Sequence, residues 1–256
     1  MNRLVLIGSL LLGTAMLTAC SGGGITDTAL KPGPVTPVPS GEPPAEPKLA
    51  SLSISGSVVI PRAPNTSKDT PWNGGAGQIT AILAVTKTEV LSTALSATGA
   101  FALNLNETVD DSKLGADSLA LLFKSYCPAG FKLTASNPGA RDALAYLEVK
   151  SASINEQLLN ANSVITLATA SAPALQVLKV GFITYSNAAN TITGNQSCLF
   201  ENKTIAESAD VSLVKGWNSL VLTFTGPALS GASGENTITL SNGASLDRWA
   251  TYVRLN

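Results

Sequence analysis

LSISGSVVI, from Leu52 to Ile60, is the stretch that decides the fold class. Its alternate positions are held by residues that suit a core, namely Leu52, Ile54, Gly56, Val58 and Ile60. A two-residue period of this kind is typical of a strand with one buried face. The stretch therefore predicts a first β-strand near the start of the folded region.

Strand-like segments recur along the rest of the chain. They are predicted over Ile79 to Val85, Val90 to Leu95, Phe101 to Leu105, Leu119 to Phe123, Leu175 to Tyr185, Val211 to Val214, Leu220 to Phe224, Thr237 to Leu240 and Arg248 to Leu255. Ala97-Thr98-Gly99 and Lys215-Gly216 predict turns. Apolar residues from Arg141 to Asn160 can be arranged at helical spacing, which predicts one or two short helices there.

The polar residues support a strand-rich fold. They are dominated by Ser, Thr and Asn, which suit strands and turns, whereas helix exteriors favour Lys, Glu, Gln and Arg. We therefore predict an all-β protein of one or two immunoglobulin-like or prealbumin-like β-sandwiches behind a disordered tether, with one or two short helices.

The stretch from residue 52 to 105 resembles a carboxypeptidase regulatory-like, prealbumin-type module. The resemblance is carried by Ile54-Ser55-Gly56-Ser57-Val58, Ile79-Thr80-Ala81-Ile82 and Ser96-Ala97-Thr98-Gly99-Ala100-Phe101-Ala102-Leu103. It departs from the family pattern in a long insertion containing Trp72 and at Ala100. The resemblance implies a small β-sandwich at 49–106 without activity, followed by a second β-rich portion at 107–256 that is either separate or continuous with it.

The first nineteen residues have the pattern of an export signal. Arg3 precedes an apolar run from Leu4 to Leu17, which is shorter than the roughly 20 residues that span a bilayer. The run ends in Leu17-Thr18-Ala19-Cys20, which resembles the lipobox of bacterial lipoproteins. The resemblance implies a signal peptide at 1–19 and a lipidated Cys20; the alternative is an ordinary secretory signal with a chance cysteine.

Lipidation at Cys20 implies a diacylglycerol thioether and an acyl chain such as palmitate. Two or three such chains anchor a protein stably, since each buried methylene contributes roughly 0.8 kcal/mol. Ser21 in place of aspartate implies transport to the outer membrane, facing the periplasm or the surface. Residues 20–48 are rich in Pro and Gly and predict an unfolded tether of roughly 30 to 90 Å; a proline-rich ligand is the alternative.

The composition excludes several chemistries. The chain has no histidine, which removes Ser-His-Asp triads and histidine-ligated metals, so we expect no cofactor. It contains 16 Lys and Arg against 17 Asp and Glu, and this balance argues against a nucleic-acid partner. In an exported protein Cys127 and Cys198 are expected to form a disulfide, although two separate buried thiols are the alternative.

Few residues suggest a site. Trp72 and Asn73 lie in a Gly-rich loop, where an exposed ring would contact a ligand such as a sugar and a ring folded back would pin the loop. Glu107, Asp110, Asp111 and Asp117 match no calcium loop, and a solvated turn is the favoured interpretation. Ser212 and Lys215 match an S-x-x-K spacing but fall in a strand, whose alternation would separate them.

These observations predict a non-catalytic cell-envelope lipoprotein with a structural or binding role. Its partner would be an envelope protein or a polysaccharide. The alternative is a carboxylate-based glycan hydrolase, for which Glu201, Glu235 and Asp247 are the acidic candidates. That alternative requires two carboxyl groups close together beside an aromatic platform.

Overall fold

The computed structural model describes residues 49–60, 69–116, 118–123, 132–166, 175–200, 203–227 and 236–251. The signal-like segment, Cys20 and the tether lie outside these ranges. The chain divides after Pro47, and Lys48–Asn256 is one compact unit. None of the helices in these ranges is long and apolar enough to cross a membrane.

The described chain is almost entirely β-strand, which confirms the all-β, sandwich-like prediction. The strands are β1 Leu52–Ile60, β2 Thr70–Pro71, β3 Gly77–Leu83, β4 Glu89–Leu95, β5 Ala100–Leu105, β6 Thr134–Ala135, β7 Asp142–Ser151, β8 Asn155–Thr166, β9 Leu175–Ser186, β10 Asn190–Phe200, β11 Lys203–Leu213, β12 Gly216–Pro227, β13 Asn236–Asn242 and β14 Arg248–Thr251. Asp111–Lys113 and Ser118–Leu122 form short 3₁₀ helices.

All fourteen strands belong to one hydrogen-bonded network. Its main path runs β2-β1-β14-β8-β7-β9-β12-β13-β11-β10-β6, while β3 joins β4 to β7 and β5 pairs with β1. The early strand β1 lies parallel to the late strand β14, and β3 lies antiparallel to β7. The predicted portions 49–106 and 107–256 therefore contribute to the same sheet, and both supply residues to the first of its two cores.

Two apolar cores lie on opposite faces of the central strands. On β7, Ala143 and Ala145 belong to the first core, which β1, β5 and β14 also build, whereas Leu144 belongs to the second. On β12, Trp217 belongs to the first core and Leu220 to the second. Since neighbouring side chains of a strand point to opposite faces, the central strands are covered on both sides.

The helices predicted between Arg141 and Asn160 are wrong, because this region forms β7 and β8. The run from Ala143 to Leu147 is apolar at nearly every position because both faces of β7 are buried. A strand covered on both faces loses its two-residue alternation, and periodicity then cannot distinguish it from a buried helix.

The strand predicted over Leu119 to Phe123 is also wrong. The segment is a 3₁₀ helix, in which the Phe123 N–H donates to the Ala120 carbonyl at 3.2 Å. Leu119, Leu122 and Phe123 are all buried in the second core. Their spacing of three and four residues is that of one helix face, so the run covers the sheet without joining it.

The Lys215-Gly216 turn joins two strands that are not neighbours. β13 lies between them, parallel to β11 and antiparallel to β12. Gly216 has a φ of 111° and lies against Ala50, so a Cβ at this position would clash with the Ala50 carbonyl. The Ala50 N–H donates to the Lys215 carbonyl at 2.8 Å and the Trp217 N–H donates to the Ala50 carbonyl at 3.0 Å. The start of the described chain is therefore fixed to this turn.

Candidate functional site

Trp72, a candidate ligand contact together with Asn73, has its ring in the first core. Its side chain is only 5% exposed, and its indole Nε1 donates to the Gly75 carbonyl at 2.7 Å. The turn residue Gly99, with a φ of 86°, packs so closely that an added Cβ would lie 2.6 Å from the Trp72 Cβ. Asn73 is exposed. The ring is folded back and pins its loop, so it does not form a stacking surface in this structure.

The other two tryptophans are anchored in the same way. Trp217 is 2% exposed, donates from Nε1 to the Glu107 carbonyl at 2.9 Å and meets Tyr185 edge to face. Trp249 is 2% exposed and donates from Nε1 to the Leu246 carbonyl at 2.9 Å. Each buried indole thus satisfies its only polar group on a backbone carbonyl. None of the three tryptophan rings is exposed to contact a ligand.

Of the two cysteines of the folded region, Cys198 lies within the described residues. Cys198 lies on β10 and packs against the second core, whereas Cys127 lies outside the described residues. Thr134 pairs with Thr193 at the start of β10. A strand advances about 3.3 Å per residue, so the chain from Cys127 to Thr134 is long enough to reach Cys198. The disulfide stays a prediction.

The acidic residues before the first 3₁₀ helix serve local structure. Asp110 Oδ1 accepts from the Ser112 N–H at 2.8 Å, and hydrogen bonding from the Ser112 side chain and backbone N–H lowers the pKa of Asp110. Asp111 Oδ1 accepts from Asn187 Nδ2 at 3.1 Å, and Asp117 lies outside the described residues. Across the described ranges, no three His, Cys, Asp or Glu side chains are grouped so as to hold a metal ion.

The remaining candidates of the sequence are dispersed. Ser212 lies at the end of β11, where the Asn242 side chain binds both its N–H and its carbonyl, while Lys215 lies in the following turn. Asp247 is exposed and accepts from the Ser245 hydroxyl at 2.7 Å. Glu201 and Glu235 lie outside the described residues.

Glu207 is a buried carboxyl group that the sequence did not single out. It lies in the middle of β11, is 1% exposed and occupies a position directed toward the second core. Its Oε2 accepts from Gln196 Nε2 at 2.6 Å, and its Oε1 has no hydrogen-bond partner. Burial raises the pKa of Glu207, and the bond from Gln196 opposes that rise.

The opposite side of the same strands is a broad polar surface, which we call the hydroxyl face. It consists of Thr191, Thr193, Asn195 and Ser197 from β10, Ser208, Asp210 and Ser212 from β11, Thr237, Thr239 and Ser241 from β13, and Thr223 and Thr225 from β12. Ala206, Val221 and the pair Leu199 and Thr204 also belong to it, and Lys179 of β9 borders it. All of these side chains are exposed or partly exposed.

The hydroxyl face is ordered in rows that run across the strands. Asn195 pairs with Ser208, Ser208 with Thr239, and Thr239 with Thr223. The Ser208 hydroxyl donates to the Thr239 hydroxyl at 3.2 Å. Neighbouring strands are about 4.8 Å apart, so the row from Asn195 to Thr223 is about 14 Å long.

A shallow trough of about 470 Å³ lies on the hydroxyl face. It is lined by Asn195, Gln196, Ser197, Ala206, Glu207, Ser208, Thr237 and Thr239. Six of these belong to two adjacent rows of the face. Strand alternation directs the Gln196 and Glu207 side chains to the other side, so these residues contribute the floor of the trough.

The sequence contains a partial sign of this surface. Thr191-Ile192-Thr193, Thr223-Phe224-Thr225 and Thr237-Ile238-Thr239 each alternate a hydroxyl with an apolar residue. This alternation predicts separate strands with a threonine side, but it does not show that three such sides lie in one surface. Only the placement of β13 between β11 and β12 brings them together.

No protein-family model, no curated protein and no solved structure matches this chain.

Proposed function

We propose that the protein is a lipid-anchored cell-envelope protein that acts by binding or structural support and not by catalysis. Cys20 would carry the lipid, residues 20–48 would be the tether, and the compact unit from Lys48 would be the working part. Its partner would be an envelope protein or a polysaccharide. An outer-membrane location, facing the periplasm or the surface, rests on the lipobox and Ser21.

The hydroxyl face is the observation that carries this proposal. It is a large exposed surface of one chemical character, formed by strands whose other side is buried in the second core. Because the backbone beneath it is hydrogen-bonded on both edges of β11, β12 and β13, its side chains are held in place before any partner arrives. Surfaces that are ordered in advance lose less entropy on binding.

A disulfide between Cys127 and Cys198 belongs to the same proposal. It would form after export, because the cytoplasm keeps thiols reduced. It would connect the end of β10 to the chain before β6, on the side of β10 that faces the second core. In this position it would stabilise the outer strands of the sheet.

Lipidation is tested by labelling cells that express the full chain with an alkyne analogue of palmitate. Label is expected in the wild-type protein and in a Cys198→Ser variant, and it is expected to be absent from Cys20→Ser. The wild-type protein should sediment with membranes, whereas Cys20→Ser should be released in soluble form. Unlabelled wild-type protein that remains in the cytosol with its first nineteen residues intact would refute the proposal.

The binding role is tested by capture of partners from intact envelopes. The full lipidated protein is crosslinked in place and purified in neutral detergent, with Cys20→Ser as the control that lacks the anchor. A protein or polysaccharide recovered reproducibly with the wild type supports a binding role. Release of reducing sugars from envelope glycans by the purified protein would contradict the non-catalytic proposal.

A further inference from the structure

We infer that the hydroxyl face binds a neutral polysaccharide chain, which lies across β10, β11, β13 and β12 along the rows of hydroxyl and amide groups. This inference rests on the proposed function, because the surface must be exported to meet such a chain. It assigns a site and a chemical class to a partner that the sequence left open. The position differs from Trp72, where the sequence suggested sugar contact.

The chemistry of the row matches that of a sugar. Ser and Thr hydroxyls can both donate and accept, and the Asn195 amide offers donors and an acceptor on one group. Sugar hydroxyls have the same double capacity, so each can exchange a donated and an accepted bond with the row. The row from Asn195 through Ser208 and Thr239 to Thr223 contains no ionised group.

The charges around the row argue for a neutral partner. Asp210 lies in the neighbouring row and Lys179 borders Thr223. One acidic and one basic side chain leave the described part of the face close to neutral. A polyanion or polycation would be bound through clustered charges of the opposite sign, and this surface does not provide such a cluster among its described members.

The composition of the face favours a polysaccharide over a protein. Protein interfaces concentrate binding energy in buried aromatic and Arg residues. The described members of the hydroxyl face are mostly small hydroxyl and amide residues, joined by Asp210, Ala206, Val221 and the exposed Leu199 at the end of β10, and the three tryptophans are in the core. A flexible hydroxylated chain can satisfy such a surface by hydrogen bonds alone.

The geometry suits an extended chain. The strands repeat about every 4.8 Å across the row, which is comparable to the length of one pyranose residue. The 470 Å³ trough between two rows can hold part of the polysaccharide chain beside Ser208 and Thr239. Without stacking, each sugar contributes little, so binding should be seen with polymers that cover several positions at once.

The inference is tested by affinity electrophoresis of the full-length protein in neutral detergent. Native gels contain hydroxyethyl cellulose, galactomannan or dextran, and polygalacturonate serves as the anionic probe. We expect at least one neutral polymer to retard the wild-type protein and polygalacturonate to leave its mobility unchanged. The Ser208→Ala/Thr239→Val double variant should bind the same polymer at least fivefold more weakly, since each lost hydrogen bond weakens binding several-fold.

The chain offers a matched control. Thr80 on β3 and Ser92 on β4 form a similar hydroxyl pair at 2.8 Å, away from the hydroxyl face. Ser92→Ala should therefore keep wild-type retardation. Asn195→Ala, at an exposed position, provides a second test that does not depend on how the double variant folds.

Two results of the electrophoresis would overturn the inference. One is the absence of retardation by every neutral polymer, and the other is retardation that neither the double variant nor Asn195→Ala weakens. Capture of an envelope protein that covers Asn195 and Thr239 would also overturn it in favour of a protein partner. Each of these outcomes leaves lipidation and the membrane location intact, whereas failure of palmitate labelling would strike the proposed function itself.

Discussion

Gln196 and Glu207 face each other across the β10–β11 ladder, and their side chains form a 2.6 Å hydrogen bond within a largely apolar core. Gln196 is partly exposed, whereas Glu207 is 1% exposed. A carboxylate held there loses hydration on both oxygens and regains one bond. The charged form of Glu207 is therefore disfavoured by folding.

Replacement of Glu207 is expected to alter the pH dependence of stability. Because burial raises the folded pKa of Glu207 above its ordinary value of 4.5, Glu207 contributes most to stability below that value, and the contribution is lost as the pH rises through the folded pKa. Glu207→Met should remove this loss. Its free energy of unfolding at pH 7.5 should therefore exceed that of the wild type by about 1 to 3 kcal/mol. Urea unfolding at pH 4.5 and 7.5 measures this difference, with Glu89→Gln, at an exposed position of β4, as the control. Equal pH slopes for Glu207→Met and wild type would contradict this.

The Asp69–Arg248 pair should act in the opposite direction. Arg248 Nε and Nη2 donate to the two Asp69 oxygens at 2.7 and 2.6 Å, and the bond from Arg248 lowers the pKa of Asp69. This contribution is present above pH 3.8 and is lost as the pH falls through the folded pKa. At pH 7, Asp69→Asn should cost about 0.5 to 1 kcal/mol, since both side chains are about one-third exposed. Thermal unfolding measures the loss of stability in Asp69→Asn, with Asp247→Asn as the control. If this loss were as large at pH 2.5 as at pH 7, the ion pair would not be its cause.

Asn242 should hold the junction of β11 and β13. Its Oδ1 accepts from the Ser212 N–H at 2.7 Å and its Nδ2 donates to the Ser212 carbonyl at 2.8 Å, which continues the β11–β13 ladder by one side chain. Asn242→Ala should destabilise the fold by about 1 to 2 kcal/mol. Hydrogen exchange should show faster exchange of the Ser212 amide, with the Val221 amide on β12 as the internal reference. Unchanged protection at Ser212 would show that the contact is dispensable.

Tryptophan emission reports whether any indole is a surface platform. All three rings are at most 5% exposed, so the native full-length protein should show blue-shifted emission and weak quenching by acrylamide. Unfolding in guanidinium should shift the emission to the red and make all of it quenchable. If about a third of the native emission were quenched, Trp72 or another ring would have to be at the surface.

Oxidation should connect Cys127 and Cys198. With Cys20 lipidated as proposed, thiol titration of the denatured protein should then find no reactive thiol before reduction and two after it. A loop of about 70 residues contributes roughly 4 kcal/mol in the chain-entropy model, so reduction should lower the Tm by about 8 to 16 °C. Two reactive thiols before reduction would favour separate buried cysteines.

Strands with one covered face could be predicted closely from the sequence, whereas among strands covered on both faces β3 could be predicted and β7 could not. β1 and β5 alternate cleanly, so their bounds nearly match the predicted ones. The apolar run of β7, which is buried on both sides, predicts a helix, and the apolar run at Leu119 predicts a strand; both predictions are wrong. β10 has only the short alternation Thr191-Ile192-Thr193, and the Gly, Asn and Gln residues that follow carry little apolar signal.

The candidate site was largely beyond reach of the sequence. Trp72 is a candidate because it is a large ring beside glycines, yet those glycines allow the ring to pack into the first core. The hydroxyl face depends on which strands become neighbours, and local residue patterns contain no information about that. Glu207 sits in an ordinary polar run, and only the covering of one side of β11 makes it a buried acid.

The parallel pairing of β1 with β14 sets an order of events for the exported protein that we propose. Ser57 to Val59 find their partners only at Arg248 to Ala250, so nearly the whole chain must be synthesised before this part of the sheet can close. Long-range pairings of this kind form slowly. The delay would keep the newly made chain open enough to thread through a translocation channel, and the body would become complete on the far side.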